Sequence, residues 1–378
     1  MMIRAVHVLS STERRGAQIF ARDLIRASAG GRVDQHVIAL RAPNASAMSF
    51  DVETLVLDTK SEGRSGPVPS AKAVHRLARA FERMTPDVIV VHGGESLKYV
   101  SLARPRTPIL YRRIGQAPVH LFRGLRRRAY SVLIRQTALV IAVAEAVREE
   151  TIKLLGIDPR RVVVIPNGVD SSRIPLADRD ASRREIGVAR DAFVILSMGA
   201  LVWEKNPLAH VRVGSKALHA IPNAIHLVAG DGPMRADVER AVEGSGFAKR
   251  TKVLGSRDDV HTLLAASDVV LFLSRGSGME GMPAVAIEAG MAGRPFVAYD
   301  IAGVSEVVLD GITGVLVRQE DESSMLDAIV RLSNDDGLSH GLGTAARRRC
   351  LELFEIKAVA ERYVGAYQEV LKEARASA

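Results

Sequence analysis

The chain has 378 residues, of which 47% are apolar and 25% charged, with a formal net charge of +9. That usage excludes wholesale disorder, and the length predicts two or three domains. A single cysteine, Cys350, excludes a disulfide framework and a cysteine-based zinc site and fits a reducing cytoplasm. In chain order, the opening MMIRAVHVLSS has too short an apolar stretch for a signal peptide. Apolar runs rich in β-branched residues follow at 3–9, 36–40, 54–57, 87–91, 108–111, 138–143 and 161–166. Between them, residues 17–27, 71–83 and 145–155 space their apolar side chains three and four apart, the helical period. Such alternation predicts parallel strands buried on both faces, a doubly wound α/β domain. The second half repeats it at 193–199, 225–230, 251–255, 268–274, 295–299 and 314–317, and the polar stretch 170–184 reads as the hinge. A last helical pattern carries Ile356, Val359, Tyr363, Tyr367 and Val370 on one face. Two such domains facing each other would gather the carboxyl ends of their strands around an interdomain cleft.

Charge is distributed unevenly. Residues 1–180 hold 29 Lys and Arg against 17 Asp and Glu, whereas residues 181–378 hold 23 against 26. The first half is therefore expected to meet an anionic partner: phosphate, nucleic acid or an acidic membrane. Aromatic residues are only 4% of the chain, which weakens the nucleic-acid option, where stacking platforms are expected. The most apolar run, 138–147, is about half a membrane span and contains Glu145, so no integral span is expected.

Four segments have the residue types for chemistry. The loop SSTERRGAQ (10–18) opens a helix near Gly16 or Ala17; a helix start holds phosphate on its unpaired N–H groups, and an ordinary βα turn would use the same residues. No GxGxxG fingerprint occurs there or at the matching turn of the second half, which counts against a nicotinamide or flavin enzyme. In GALVWEKNP (199–207), Lys205 stands at a strand's carboxyl end before a helix started by Asn206 and Pro207. A compact ammonium there suits phosphate as a point charge, and a solvated surface lysine is the plain alternative. The segment 274–295 is glycine-rich and then helical from Pro283, read as the first helical residue. It puts Glu280 in the loop and Glu288 in the helix's second turn, within reach of two different ligand groups. A helix containing Val285, Ala286 and Ile287 reads as buried, so an unpaired Glu288 would be costly; an arginine partner or a cap would serve it as well as a ligand.

Other features are less specific. PNGVD (166–170) signals a tight turn first and a ligand site second. His92 and His120 are the first-half histidines best placed near strand ends, and each is structural or catalytic on this evidence. Arg123, Arg126, Arg127 and Arg128, followed by Tyr130, Val132, Leu133 and Ile134, fit either a helix lying on an anionic membrane or a solvated face beside a packed one.

Taken in order, VVVIPNGVD, SMGALVWEKNP, LVAGDGPMRADVE, EGMPAVAIEAGMAGRPFVA and GVSEVVLDGITGVLV resemble the retaining GT-B glycosyltransferases of the family 4 type (glycosyl transferases group 1). The resemblance implies an acceptor-side Rossmann-like domain at 1–175, a nucleotide-sugar-binding one at 176–354, and a helix at 355–378 crossing back to the first. It implies that Glu288 binds the donor ribose and that Glu280 sits beside the transferred sugar with Gly281, Met282 and Pro283. Lys205 would neutralise the diphosphate, helped by the backbone of Gly16, with no metal. Departures are Ala200 where the family often has arginine, RRGAQ in place of Gly-Gly-x-Glu, and Ile114 or Gly115 near the place of a common histidine. Arg15 or Arg14 is the expected substitute cation, and His92 the remaining candidate catalytic histidine. The implied function is sugar transfer from a nucleoside-diphosphate sugar, UDP or GDP, to a glycolipid or lipid-linked saccharide of a bacterial envelope. That places the protein in the cytoplasm, peripheral at the inner face of the membrane, with no nucleic-acid partner. A soluble acceptor, a catalytically silent sugar-nucleotide-binding protein and an oxidoreductase are the competing readings.

Overall fold

The structure, a computed structural model, describes residues 2–28, 31–43, 47–58, 69–116, 124–276 and 280–376. Contacts divide it into two units, residues 1–169 with 356–378 and residues 170–355.

In the first unit, β1 (Ile3–Ser11) leads to α1 (Gly16–Ser28), β2 (Val33–Arg41), β3 (Thr54–Val56), α2 (Ala71–Met84), β4 (Val88–His92) and α3 (Gly93–Ala103). Then come β5 (Ile109–Arg113), α4 (Gly124–Arg135), β6 (Leu139–Ala142), α5 (Glu145–Leu155) and β7 (Val162–Val164). The strands form one sheet in the order β3-β2-β1-β4-β5-β6-β7, every pair parallel. Chain direction across the sheet reverses at β1 and β4, the switch point whose carboxyl ends take ligands in such sheets.

The second unit begins with α6 (Arg179–Glu185), β8 (Phe193–Met198), α7 (Pro207–Ala220), β9 (Ala224–Ala229), α8 (Arg235–Glu243), β10 (Thr251–Gly255) and α9 (Val260–Ala266). It continues through β11 (Val269–Phe272), α10 (Ala284–Met291), β12 (Phe296–Tyr299), β13 (Gly314–Val317), α11 (Glu322–Asn334) and α12 (Asp336–Leu353). Its sheet, β10-β9-β8-β11-β12-β13, is also wholly parallel and switches between β8 and β11. Val194, Ile195, Leu196, Val269, Val270 and Leu271 at its centre are fully buried, as apolar strands covered on both faces must be.

The last helix, α13 (Ile356–Ala376), belongs to the first unit. Ile356, Val359, Tyr363, Tyr367 and Val370 are buried in one cluster with Phe20 and Leu24 of α1 and Val90, Leu110 and Ile141 of the sheet. Gly168 admits this helix, because a Cβ there would lie 2.9 Å from Ile356 Cδ1 and 3.0 Å from its Cα. The expected tight turn at Asn167-Gly168 is absent; Asn167 Oδ1 instead accepts from Arg112 Nη2 at 2.6 Å.

The division after residue 169 precedes the expected one at 175 because the sequence read as a hinge is itself structured. Ser171–Arg173 is a 3-10 turn, and α6 buries Arg183. The Arg183 guanidinium donates to Ala266 O at 3.0 Å and Asp268 Oδ2 at 2.7 Å, both in the second unit. Among the described residues no helix is long and apolar enough to cross a membrane.

Candidate functional site

At the second switch point two loops are locked together by missing side chains. The β8–α7 loop enters through Gly199, whose N–H donates to Ala229 O at 3.0 Å, while Leu201 N–H donates to Asp231 O at 2.9 Å. The turn Gly230-Asp231-Gly232 lies directly against it. A Cβ on Gly230 would sit 1.8 Å from Gly199 O, and one on Gly232 would sit 2.6 Å from Leu201 O. These glycines carry the family-like pattern in the sequence, and their reason is packing of one backbone on the other.

Beyond Leu201 the chain makes a 3-10 turn, Trp203–Lys205, and Asn206 takes a left-handed conformation (φ 52°, ψ 49°) before Pro207 opens α7. His210, one turn into α7, holds this start. Leu273 N–H donates to its Nε2 at 3.0 Å, so its Nδ1–H faces Asn206 O at 3.2 Å. Burial, reinforced by the Lys205 charge, pushes its pKa down to about 4 and keeps it neutral. The sequence reading missed His210, which only its position one turn after the Lys205 loop could have suggested. Beside it, Ser197, Ala200, Lys205, His210, Phe272 and Ser274 line a small pocket that opens to solvent.

Lys205 and Glu280, 75 residues apart in sequence, meet here as an ion pair. The Glu280 side chain is 13% exposed and that of Lys205 31%, and the ammonium also lies 5.3 Å from the centre of the Phe272 ring. Gly281 and Met282 are buried after it. Gly303 makes this possible: its φ is +82°, and a Cβ there would lie 1.4 Å from Gly281 O. Pro283 is the N-cap of α10 rather than its first helical residue, in extended conformation (φ −73°, ψ 118°), and no side chain caps that end. Glu288, in the second turn, is 15% exposed and has Arg173 Nη2 3.9 Å from Oε1. The sequence allowed Glu288 an arginine partner, and one stands in ion-pair range, although too far for a hydrogen bond. Among the described residues no three His, Cys, Asp or Glu side chains gather as metal ligands.

The first unit treats its candidates differently. Gly16 opens α1 as expected, exposed, and a Cβ there meets nothing within 4 Å, so the fold itself does not demand glycine. Arg14 and Arg15 are exposed, Arg15 pairing with Glu13 at 2.8 Å. His92, expected as an accessible catalytic histidine, is buried at the end of β4. A hydrogen-bond chain fixes its tautomer: Ser28 Oγ donates to Leu24 O at 2.5 Å and Gln35 Nε2 to Ser28 Oγ at 2.7 Å. Gln35 Oε1 then accepts from His7 Nε2 at 2.7 Å, and His7 Nδ1 accepts from His92 Nε2 at 3.0 Å. Burial holds His92 well below the ordinary histidine range and brings His7 down to about 4. An internal, neutral histidine is unsuited to exchanging protons with substrate. Ile114 is 40% exposed at the end of β5. On α4, Arg126, Arg127 and Arg128 are exposed, but the apolar residues beside them are Leu125 (81% exposed) and Val132 (54%). Ile134 is buried and Tyr130 bonds Tyr111 at 2.7 Å, so neither belongs to the exposed face. His120 and Arg123 lie outside the described residues.

Each unit is a parallel doubly wound sheet, and the second carries a lysine and two acids beside its switch point. Two family models agree, "Glycosyltransferase Family 4" over residues 14–173 and "Glycosyl transferases group 1" over 178–349. The chain belongs to the group 1 glycosyltransferases, of GT-B fold. It is 31% identical over 208 residues to the UDP-Gal:alpha-D-GlcNAc-diphosphoundecaprenol alpha-1,3-galactosyltransferase of Escherichia coli, covering 54% of this chain and 53% of that one. To the N-acetyl-alpha-D-glucosaminyl L-malate synthase of Bacillus anthracis it is 27% identical over 241 residues, 64% of this chain and 62% of the other. The chain thus spans between half and two thirds of these relatives. Among solved structures, HepE of Anabaena, in complex with UDP and glucose, superposes with a TM-score of 0.83 at 20% identity, over 97% of this chain and 99% of that one. A glycosyltransferase from Rickettsia africae gives 0.80 at 17% identity, over 98% and 99%.

Proposed function

We propose that the chain moves a sugar from a nucleoside-diphosphate sugar to an acceptor hydroxyl with retention at the anomeric carbon. One observation carries this reading: Lys205 and Glu280 converge beside a pocket at the second unit's switch point. In it, Glu288 binds the ribose hydroxyls, Lys205 takes the diphosphate, and Glu280 with the amides of Gly281 and Met282 meets the sugar. The donor enters by exchanging the Lys205–Glu280 pair for a Lys205–diphosphate pair. The bond from the anomeric carbon to the diphosphate breaks while the acceptor oxygen bonds the same face of that carbon. The departing diphosphate takes the acceptor's proton. Its growing charge is met by Lys205 and by the N–H groups at the start of α10, groups that strengthen their hold as the bond breaks.

The acceptor we favour is a lipid-linked saccharide. Its support is the Escherichia coli relative, named for a diphosphoundecaprenol-linked acceptor, together with the exposed Arg126, Arg127, Arg128, Leu125 and Val132 of α4. Those side chains suit peripheral binding to anionic lipid. The malate-synthase relative favours a soluble acceptor as the second reading. The test supplies UDP-galactose, UDP-glucose and GDP-mannose with a polyprenyl-diphosphate-linked N-acetylglucosamine or with malate, and reads the product's anomeric configuration by NMR. An α-linked lipid product from an α-configured donor is the expected result. No release of nucleoside diphosphate with any donor would leave a silent binding protein.

A further inference from the structure

We propose that Arg275 is a positioning residue for Lys205, holding the turn that aims the ammonium. The proposal rests on the reading of Lys205 as the diphosphate cation. The turn needs outside support. Three residues of 3-10 helix are a weak element with poor hydrogen-bond geometry. The left-handed Asn206 that follows is a conformation that costs a residue with a Cβ. Trp203, at the turn's start, is 56% exposed and so adds little burial of its own.

Arg275 follows the end of β11 by three residues, and no sequence spacing ties it to the turn, yet it reaches three of the four residues there. Its backbone N–H donates to Glu204 O at 2.9 Å. Its Nε donates to Trp203 O at 3.2 Å, and its Nη2 donates to Asn206 Oδ1 at 2.9 Å. The guanidinium also lies 4.7 Å from the centre of the Trp203 ring, covering one face of the indole. Carbonyls of two turn residues and the side chain of the residue after Lys205 are thus fixed from the end of β11, the strand whose continuation carries Glu280. A guanidinium suits this role better than an ammonium, because its planar fork presets Nε and Nη2 toward Trp203 O and Asn206 Oδ1 with its face on the ring, whereas an ammonium's three donors rotate freely on a flexible stem.

The test uses the full chain and whichever of UDP-galactose, UDP-glucose and GDP-mannose the wild type cleaves fastest. Arg275→Gln and Arg275→Lys should each lower kcat by on the order of a hundredfold with little change in KM, the cost of a misplaced catalytic group. In a Lys205→Ala background, Arg275→Gln should cost less than about threefold more, since a residue acting through Lys205 has nothing left to position. Emission of Trp203, the chain's one tryptophan, should change in Arg275→Gln as the stacked cation is lost, an effect independent of turnover. Near-normal kcat in Arg275→Lys, or losses that multiply in the double variant, would overturn the proposal and make Arg275 a direct charge on the diphosphate. Normal turnover in Lys205→Ala alone would instead overturn the functional reading itself.

Discussion

The two units share the order of six strands, the first adding β7, and use its ligand-binding edge in opposite ways. Toward the carboxyl ends of β4 and β5 the titratable side chains of the strands turn inward: His92 and Arg112 are buried, His92 bonded to His7 in the middle of β1 and Arg112 to Asn167, while the exposed Arg14 and Arg15 stand on the loop after β1. At the ends of β8 and β11, Lys205, Glu280 and Glu288 stay partly exposed over closely packed backbone and the buried, neutral His210. Gly230, Gly232 and Gly303 let one loop rest on another with no side chain between, so the ionic groups are carried on a rigid support. Topology alone therefore does not mark a site. What marks it is charge left at the surface over loops that packing has immobilised.

The sharpest way to break the contrast is to restore a Cβ in each unit's loop. Gly230→Ala puts a methyl 1.8 Å from Gly199 O, where backbone must move; we expect a loss of about 3 kcal/mol or more in stability, with donor binding lost alongside. Thermal unfolding and UDP titration of the same sample would check it, and an unperturbed variant would mean the loops are not locked.

A second test uses acid. His7 in the first unit and His210 in the second are each lowered by burial from 6.5 to about 4, so the unfolded chain takes up a proton before the folded one does. The stability contributed by their neutrality is whole above about pH 6.5 and is lost as the pH falls toward 4, at most about 3 kcal/mol per histidine. Denaturant unfolding at pH 7 and pH 4.5 should show both units weakened, and a flat profile would show that the histidines are not sealed. The smallest effect belongs to Gly16→Ala. With nothing within 4 Å of the new methyl, stability should hold or rise by less than about 1 kcal/mol. A large loss there would mean that the first loop is as tightly packed as the second.

Much of this was legible in the sequence. The parallel strands declare themselves as continuous β-branched runs, and β10 and β13 match their predicted runs, because strands buried on both faces need no polar alternation. Gly16 as a helix start and Glu280 and Glu288 as loop and helix acids are also readable from spacing. What spacing does not show is direction. His92 lies at a strand end, where a ligand group would lie, but parity along β4 puts it on the buried face that also carries His7. Pro283 reads as a first helical residue, since a fixed φ near −65° suits both that position and the extended N-cap; its ψ decides, and ψ is not in the sequence. Asn167-Gly168 reads as a turn, but the glycine answers to α13, almost 200 residues away. Arg275 escapes a reading of the sequence because its partners are turn atoms that the chain brings to it only when folded.

If the second unit alone carries the charges that hold a nucleoside diphosphate, calorimetric titration of UDP and GDP into the wild type, Lys205→Ala and Glu288→Ala shows it most directly. One of the two nucleotides should bind the wild type, and each variant should weaken it by about 1.5–3 kcal/mol, the loss of a hydrogen bond to a charged group. Folded variants that bind that nucleotide as tightly as the wild type would contradict the account.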